Sequence, residues 1–224
     1  GGAGRGARAA ARVWAADSTG VCVGRRTAEC VTASGIDVLC ITDHNAIKGA
    51  VELADELPCR VVVGEELKTH AGEIIGLFLR ERIPQGIPPL EAALDIRDQG
   101  GIVYVPHPFD PMRNNLRLDV LDELVASDLV DGIEVLNGKT SLKSLNQKAV
   151  TYAAKHDLAI GAGSDAHVAE AIGAVYLEMP DFKRRKRPCT TGLNMTKRAE
   201  AIENASSQET PRNHTSMRSR CRIK

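Results

Sequence analysis

Short apolar runs that stop at an acidic residue, a histidine or an asparagine recur along this chain, and that punctuation limits the folds it can adopt. Residues 36–41 end in Thr42-Asp43-His44-Asn45, residues 60–63 in Gly64-Glu65-Glu66 and residues 102–105 in Pro106-His107-Pro108-Phe109-Asp110. Residues 132–136 end in Asn137-Gly138, and residues 158–162 in Gly163-Ser164-Asp165-Ala166-His167. Runs this short and this apolar are the mark of strands buried on both faces. Helical patterns separate them, at residues 27–34 closed by Gly35, 46–57, 90–99 stopped by Gly100-Gly101, 118–126 and 142–156. A short first strand is expected at residues 13–16, and another at 72–79 with Glu73 near its start. The alternation predicts an α/β fold built on a parallel barrel or a doubly wound sheet. In a barrel the strand C-termini meet at one face, so His44, Glu66, His107, Asp165 and His167 would converge although far apart in sequence.

The segment that ends the last run suggests why they would converge. On an extended backbone residues i and i+2 share a face, so Asp165 and His167 can point into one cavity, while Gly163 and Ser164 allow close approach of the chain. Histidines with Asp and Glu form a mixed nitrogen and oxygen ligand set suited to zinc, manganese or iron, and the lack of cysteine among them speaks against a structural zinc site. Carboxylates can bridge two ions, and a two-metal cluster activates water near neutral pH and neutralises charge on a phosphoryl group. Taken singly, each residue has a plain structural role open to it. His44 can cap the helix that follows, His107 can sit in a rigid Pro-His-Pro loop, and the neighbours Glu65 and Glu66 cannot both face inward. His70, His156 and His214 read as surface or loop histidines.

Composition narrows the partners. The chain has 224 residues, a formal net charge of zero and 3% aromatic residues, so neither a global basic field nor a base-stacking platform argues for nucleic acid, except as a nucleotide-type substrate. The six cysteines include no Cys-x-x-Cys pair, which fits reduced thiols in the cytoplasm rather than a disulfide framework. Residues 1–11 lack the apolar core of a secretory signal, and no stretch is long enough to span a bilayer, so the expectation is a soluble cytoplasmic protein with no membrane partner. The domain division expected is a flexible N-terminus at 1–11, the catalytic domain at 12–180 and a basic, disordered tail at 181–224 that opens with Lys183-Arg184-Arg185-Lys186-Arg187. The sequence leaves oligomeric state open.

The ordered set Thr42-Asp43-His44-Asn45, Gly64-Glu65-Glu66, Gly72-Glu73-Ile74-Ile75-Gly76-Leu77, His107-Pro108-Phe109-Asp110, Asn137-Gly138 and Gly163-Ser164-Asp165-Ala166-His167 resembles the polymerase and histidinol phosphatase (PHP) domain family over residues 13–177. The resemblance implies a distorted (β/α)7 TIM-like barrel with two or three divalent metal ions, Mn2+, Zn2+ or Fe2+, at the strand C-termini. It implies hydrolysis of a small phosphorylated substrate, a phosphomonoester or phosphodiester. Carried over by position, His44, Glu66, His107, Asp165 and His167 resemble metal ligands, with Asp165, His167 and His107 as the catalytic set, and Glu73 falls where many relatives place a ligand histidine. Arg113 is a candidate phosphate clamp through its bidentate donors. The departure lies on strand one. Where relatives carry Asp-Leu-His-x-His-Ser, this chain has Val13-Trp14-Ala15-Ala16-Asp17-Ser18, so that Asp17 can still ligate a metal and Ala15 cannot. Two other readings stay open: an impaired barrel that binds a metal or a phosphorylated ligand without turnover, and a metal-dependent amidohydrolase on a related barrel.

Overall fold

The computed structural model describes residues 9–14, 25–179 and 222–223. Asp17, Ala15 and the basic block at 183–187 lie outside the described residues, as does His214. In chain order the elements are β1 (Ala9–Trp14), α1 (Arg25–Ser34), β2 (Val38–His44), α2 (Lys48–Ala54), β3 (Arg60–Thr69), β4 (Gly72–Leu77) and α3 (Pro89–Asp98). They continue with β5 (Ile102–Val105), α4 (Leu118–Ala126), β6 (Gly132–Asn137), α5 (Lys143–Lys155), β7 (Ala159–Gly163), a 3-10 turn (Ala169–Ala171), β8 (Leu177–Met179) and β9 (Arg222–Ile223).

Most expected elements fall close to these bounds; β1 is an exception, beginning at Ala9 rather than at residue 13, within the stretch expected to be a flexible N-terminus. Gly35 ends α1 at φ +63, a conformation that costs a glycine little. Pro89 starts α3 at a position where its missing N–H is no loss, with Glu91 in the first turn and Arg97 in the last. Helix α2 is shorter at both ends than the 46–57 expected. Among the described residues no helix is long and apolar enough to cross a membrane.

The strands form one curled, mixed sheet in the order β2-β3-β4-β5-β6-β7-β1-β8-β9, in which β1 also pairs with β2. The all-parallel expectation fails at β4, which runs antiparallel to both β3 and β5. The reason is the connection. Only His70 and Ala71 separate β3 from β4, far fewer residues than a crossover to a parallel strand requires. Thr69 closes this turn, its Oγ1 donating to Gly72 O at 2.5 Å and accepting from Ala71 N at 3.2 Å. Gly72 sits at φ +121, and a Cβ there would lie 2.4 Å from Asn115 O. Because β4 is reversed, its first residues lie at the same edge as the last residues of β2, β3, β5, β6 and β7.

Strand parity divides the core. Leu39 and Ile41 of β2 pack outward on α1 and α2 with Val31, Ala50 and Leu53. Val38 and Cys40, the alternate residues, pack inward with Val62, Ile75, Leu77 and Tyr104 on the concave side of the sheet. A third cluster fills the space between β4, β5, β6 and helices α3, α4 and α5, with Ile74, Ile96, Val103, Val105, Leu121, Leu124 and Ile133 all but fully buried.

Candidate metal centre

The same parity aims the polar residues. Following Val38 and Cys40 up the inner face of β2 leads to Thr42 and His44, while Asp43 turns to the helix side against Gly49. On β3 the inward series is Val62, Gly64, Glu66, and on β4 it is Leu77, Ile75, Glu73. Glu65 is buried too, on the opposite face, where its Oε2 accepts Ile83 N at 2.9 Å and Arg82 stands 3.9 Å from Oε1. The carboxylate pair at 65–66 therefore splits between holding a loop and facing the site.

At the shared edge the side chains meet. His107 Nε2 lies 3.2 Å from Glu66 Oε1 and 3.7 Å from Glu73 Oε2. His44 Nδ1 approaches the same two carboxylates, 3.6 Å from Glu66 Oε2 and 4.0 Å from Glu73 Oε1. Asp165 receives Arg113 at 2.5 Å on Oδ2, with His167 Nδ1 at 3.5 Å from Oδ1. The His167 ring sits edge-on to that of His44, centroids 6.3 Å apart, which joins the two groups. Glu66, His107, Glu134, Asn137 and Asp165 line one small cavity. His107 and Asp165 are both held at positive φ, +28 and +48, sparsely populated backbone that persists where the surroundings fix it and that recurs at functional sites.

The donor set fits a divalent cation. One ligand atom each from His44, Glu66 and Glu73 lie within 4.8 Å of one another. Among the described residues Glu73 has one long hydrogen bond, from Asn114 at 3.5 Å, and its carboxyl is pushed up by burial and by the charge of Glu66 against the pull of His107 and His44. Burial pulls the His107 imidazole down, but the hydrogen bond and charge of Glu66, with Glu134 and Glu73 behind it, outweigh burial and raise it. Two carboxylates crowded in a dry site and two imidazoles drawn to them are what a cation of hard to borderline character relieves.

Glu134 and Lys139 escaped the sequence reading, while Asn137 and Asp110 were quoted there as strand-end motif residues without a role of their own. Glu134, 3% exposed, accepts the His107 backbone N–H at 2.8 Å and Asn137 Nδ2 at 2.9 Å, and burial pushes its carboxyl up to about 7. Its signal was a lone charge within an apolar strand run, Ile133-Glu134-Val135. Asn137 stands three residues on, which alternation would send to the other face. A register shift between Glu134 and Leu136 brings it back, so Asn137 Nδ2 also reaches Asp165 Oδ2 at 3.4 Å. Asp110, 5% exposed, accepts Thr140 Oγ1 at 2.8 Å and Met112 N at 3.0 Å, tying the loop after β5 to the loop after β6. Lys139, on that second loop, reaches His167 Nδ1 at 2.5 Å. Of the histidines set aside, His70 is exposed at the β3–β4 turn, and His156 follows α5 with its ring on Tyr152.

Residues 143–187, which take in α5, β7 and the Asp165-Ala166-His167 segment, match the family model described as PHP-associated (PHP_C). The fold is similar to that of a two-domain protein from Bacteroides vulgatus containing a predicted PHP-like metal-dependent phosphoesterase, with a TM-score of 0.60 at 18% identity, covering 89% of this chain and 63% of that one. The PHP-associated segment and the shared fold are what this chain has in common with PHP proteins. Two uncharacterized proteins of Methanocaldococcus jannaschii resemble this chain in sequence. One is 35% identical over 159 residues, 70% of this chain, and the other 47% identical over 106 residues, 46% of this chain. The chain spans 63% and 59% of the length of these two relatives. An amidohydrolase from Chromobacterium violaceum, with bound sulfate and no metal, is also similar in fold, with a TM-score of 0.54 at 16% identity over 70% of this chain and 87% of that one.

Proposed function

We propose that this chain is a member of the PHP domain family and a metal-dependent phosphoesterase that hydrolyses a small phosphomonoester or phosphodiester. The observation that carries the reading is the convergence of His44, Glu66, Glu73 and His107 within 4.0 Å contacts at one sheet edge, with Arg113 on Asp165 beside them. His44, Glu66, Glu73, His107, Asp165 and His167 would hold the ions, two or three of manganese, zinc or iron, and Asp17 would join them on the strength of the sequence. When bound, the ions supply an activated water and positive charge for the phosphoryl oxygens.

The chain's own groups do the rest. Glu134 and Asn137 fix the backbone of His107 and the carboxylate of Asp165 through buried hydrogen bonds, so these ligands are oriented before any substrate arrives. Arg113 presents a planar fork suited to two phosphate oxygens. His107, Asp165 and His167 would be the residues of this set that act at the reacting phosphate, through the ions they would hold. The curled sheet is read as the irregular seven-stranded barrel of the sequence expectation, a reading supported by β1, which pairs with β2 through Ala11–Trp14 and with β7 through Val13. The domain is read as residues 12–180, to whose sheet Ala9–Ala11 of β1 and the short strand β9 add from outside those bounds.

Ala15 favours a second reading, a barrel that binds metal or phosphorylated ligand without turnover. Hydrolysis of an aryl phosphate by the chelator-stripped chain, before and after reloading with Mn2+ or Zn2+, tests the first reading against the second. Metal-dependent release of phosphate is the expected result.

A further inference from the structure

We propose that Arg113 and Lys139 are exchangeable cations: they occupy the ligand atoms of Asp165 and His167 when no metal is held there, and move to the phosphate when one is. The inference rests on the reading of the site as a metal centre and adds to it a linkage between metal loading and anion binding.

His167 carries the argument. Its Nδ1 faces two partners at once, Lys139 Nζ at 2.5 Å and the carbonyl oxygen of Asp165 at 3.0 Å. An ammonium only donates and a carbonyl only accepts, so one neutral imidazole nitrogen satisfies one of them at a time. With Lys139 in place Nδ1 is the acceptor, the proton sits on Nε2, and the ring offers no lone pair on that side to a cation. With Lys139 withdrawn, Nδ1–H donates to Asp165 O and Nε2 is freed as a ligand. That arrangement, with the outer ring N–H on a carbonyl, is the usual one for a metal-binding histidine. Lys139 and a metal on Nε2 are therefore alternatives.

Arg113 repeats the pattern next door, its guanidinium 2.5 Å from Asp165 Oδ2 in place of a cation. The two cations are held as a pair. Asp110 ties the β5 loop, which carries Arg113, to the β6 loop, which carries Lys139, through Thr140 Oγ1 and Met112 N. Lys139 is exposed at the mouth of the site, with a flexible stem that needs no backbone movement to turn outward. Once displaced, the pair stands where the oxygens of a phosphate would meet both it and the metal. Metal binding thereby raises phosphate affinity, and by reciprocity phosphate raises metal affinity.

Titration calorimetry on the full chain, stripped with a chelator, tests this with Mn2+ and inorganic phosphate as probes. Lys139→Met and Arg113→Leu each remove a competitor, so each is expected to bind Mn2+ about fivefold or more tightly than the parent. Phosphate added to the Mn2+-loaded variants is expected to bind about fivefold or more weakly. Mn2+ affinity that is unchanged or weaker in both variants overturns the exchange. Should a variant fail to fold, nitrogen-15 spectra of the parent chain read the imidazole directly: His167 Nδ1 goes from unprotonated to protonated on saturation with Zn2+. One tautomer in both states overturns the proposal. A parent chain that takes up no metal at all overturns the site reading as well, which separates the two failures.

Discussion

The carboxylate of Glu134 accepts the backbone N–H of His107 at 2.8 Å, so a residue buried in β6 holds the histidine that follows β5. The same Oε2 accepts Asn137 Nδ2 at 2.9 Å, and all three groups are buried. Replacing Glu134 with Ala strands two buried donors, at a cost of about 1–3 kcal/mol for each. The Glu134→Ala variant is therefore expected to unfold at lower urea than the parent, and to bind Mn2+ more weakly because His107 loses its fixed position. A midpoint equal to the parent's would show that Glu134 is not needed there.

The metal-free chain is expected to lose stability as pH rises from about 4.5 toward 7. Burial pushes the Glu134 carboxyl up to about 7, and burial with the Glu66 charge pushes Glu73 up, so the folded chain binds protons that the unfolded chain has released. His107 acts in the same direction, its contribution being complete below the ordinary histidine value and lost as pH rises through its raised one. For Glu134 the effect is ~3 kcal/mol. Thermal melts across this range, compared with Glu134→Gln, check the sign: the variant should show a flatter profile. A parent whose melting temperature climbs steadily over the same interval contradicts the account.

Much of this arrangement is written in local sequence, and the rest depends on pairing. Residues 102–105 and 118–126 are recognisable because an apolar run stopped by Pro106 and an amphipathic stretch need no distant partner to be read. His44 and Glu66 follow from them, since parity along a strand fixes the face once one buried residue is placed. The direction of β4 could not be read that way. It is set by the tight Thr69–Gly72 turn, and it alone explains why Glu73 serves from the start of a strand while its neighbours serve from the ends. Asn137 depends on a register shift against β7, and Lys139 and Asp110 on loops that meet only in the folded chain. None of these leaves a periodic trace. Asp17, read from the sequence as a ligand, lies outside the described residues.

Gly138 marks a close approach at the site's edge. Its N–H donates to Gly163 O at 2.8 Å, and a Cβ there would come within 2.9 Å of Ser164 O. Gly138→Ala must push the β6 loop away from the segment carrying Asp165, at ~1–3 kcal/mol. The variant is expected to melt earlier and to bind Mn2+ more weakly, both measured against the parent. Unaltered metal affinity in a destabilised variant would mean that the loop spacing does not position Asp165.

The link between Asp110 and Thr140 is expected to act on anion binding before it acts on the fold. Thr140→Val removes one hydrogen bond of partly buried groups, ~1 kcal/mol, and frees the two cation-bearing loops from each other. Inorganic phosphate should then bind the Mn2+-loaded variant more weakly, with Mn2+ affinity kept. Equal loss of both would assign the bond a purely structural role.

The central claim is that strand-end residues far apart in sequence form one metal site that hydrolyses phosphate esters. Metal content by elemental analysis, with aryl phosphate hydrolysis in the same preparation, tests it most directly when the parent is set beside His107→Ala and Asp165→Ala. The account predicts bound metal and metal-dependent turnover in the parent, and loss of both in each variant. Retention of the parent's metal stoichiometry and rate in both variants would contradict it.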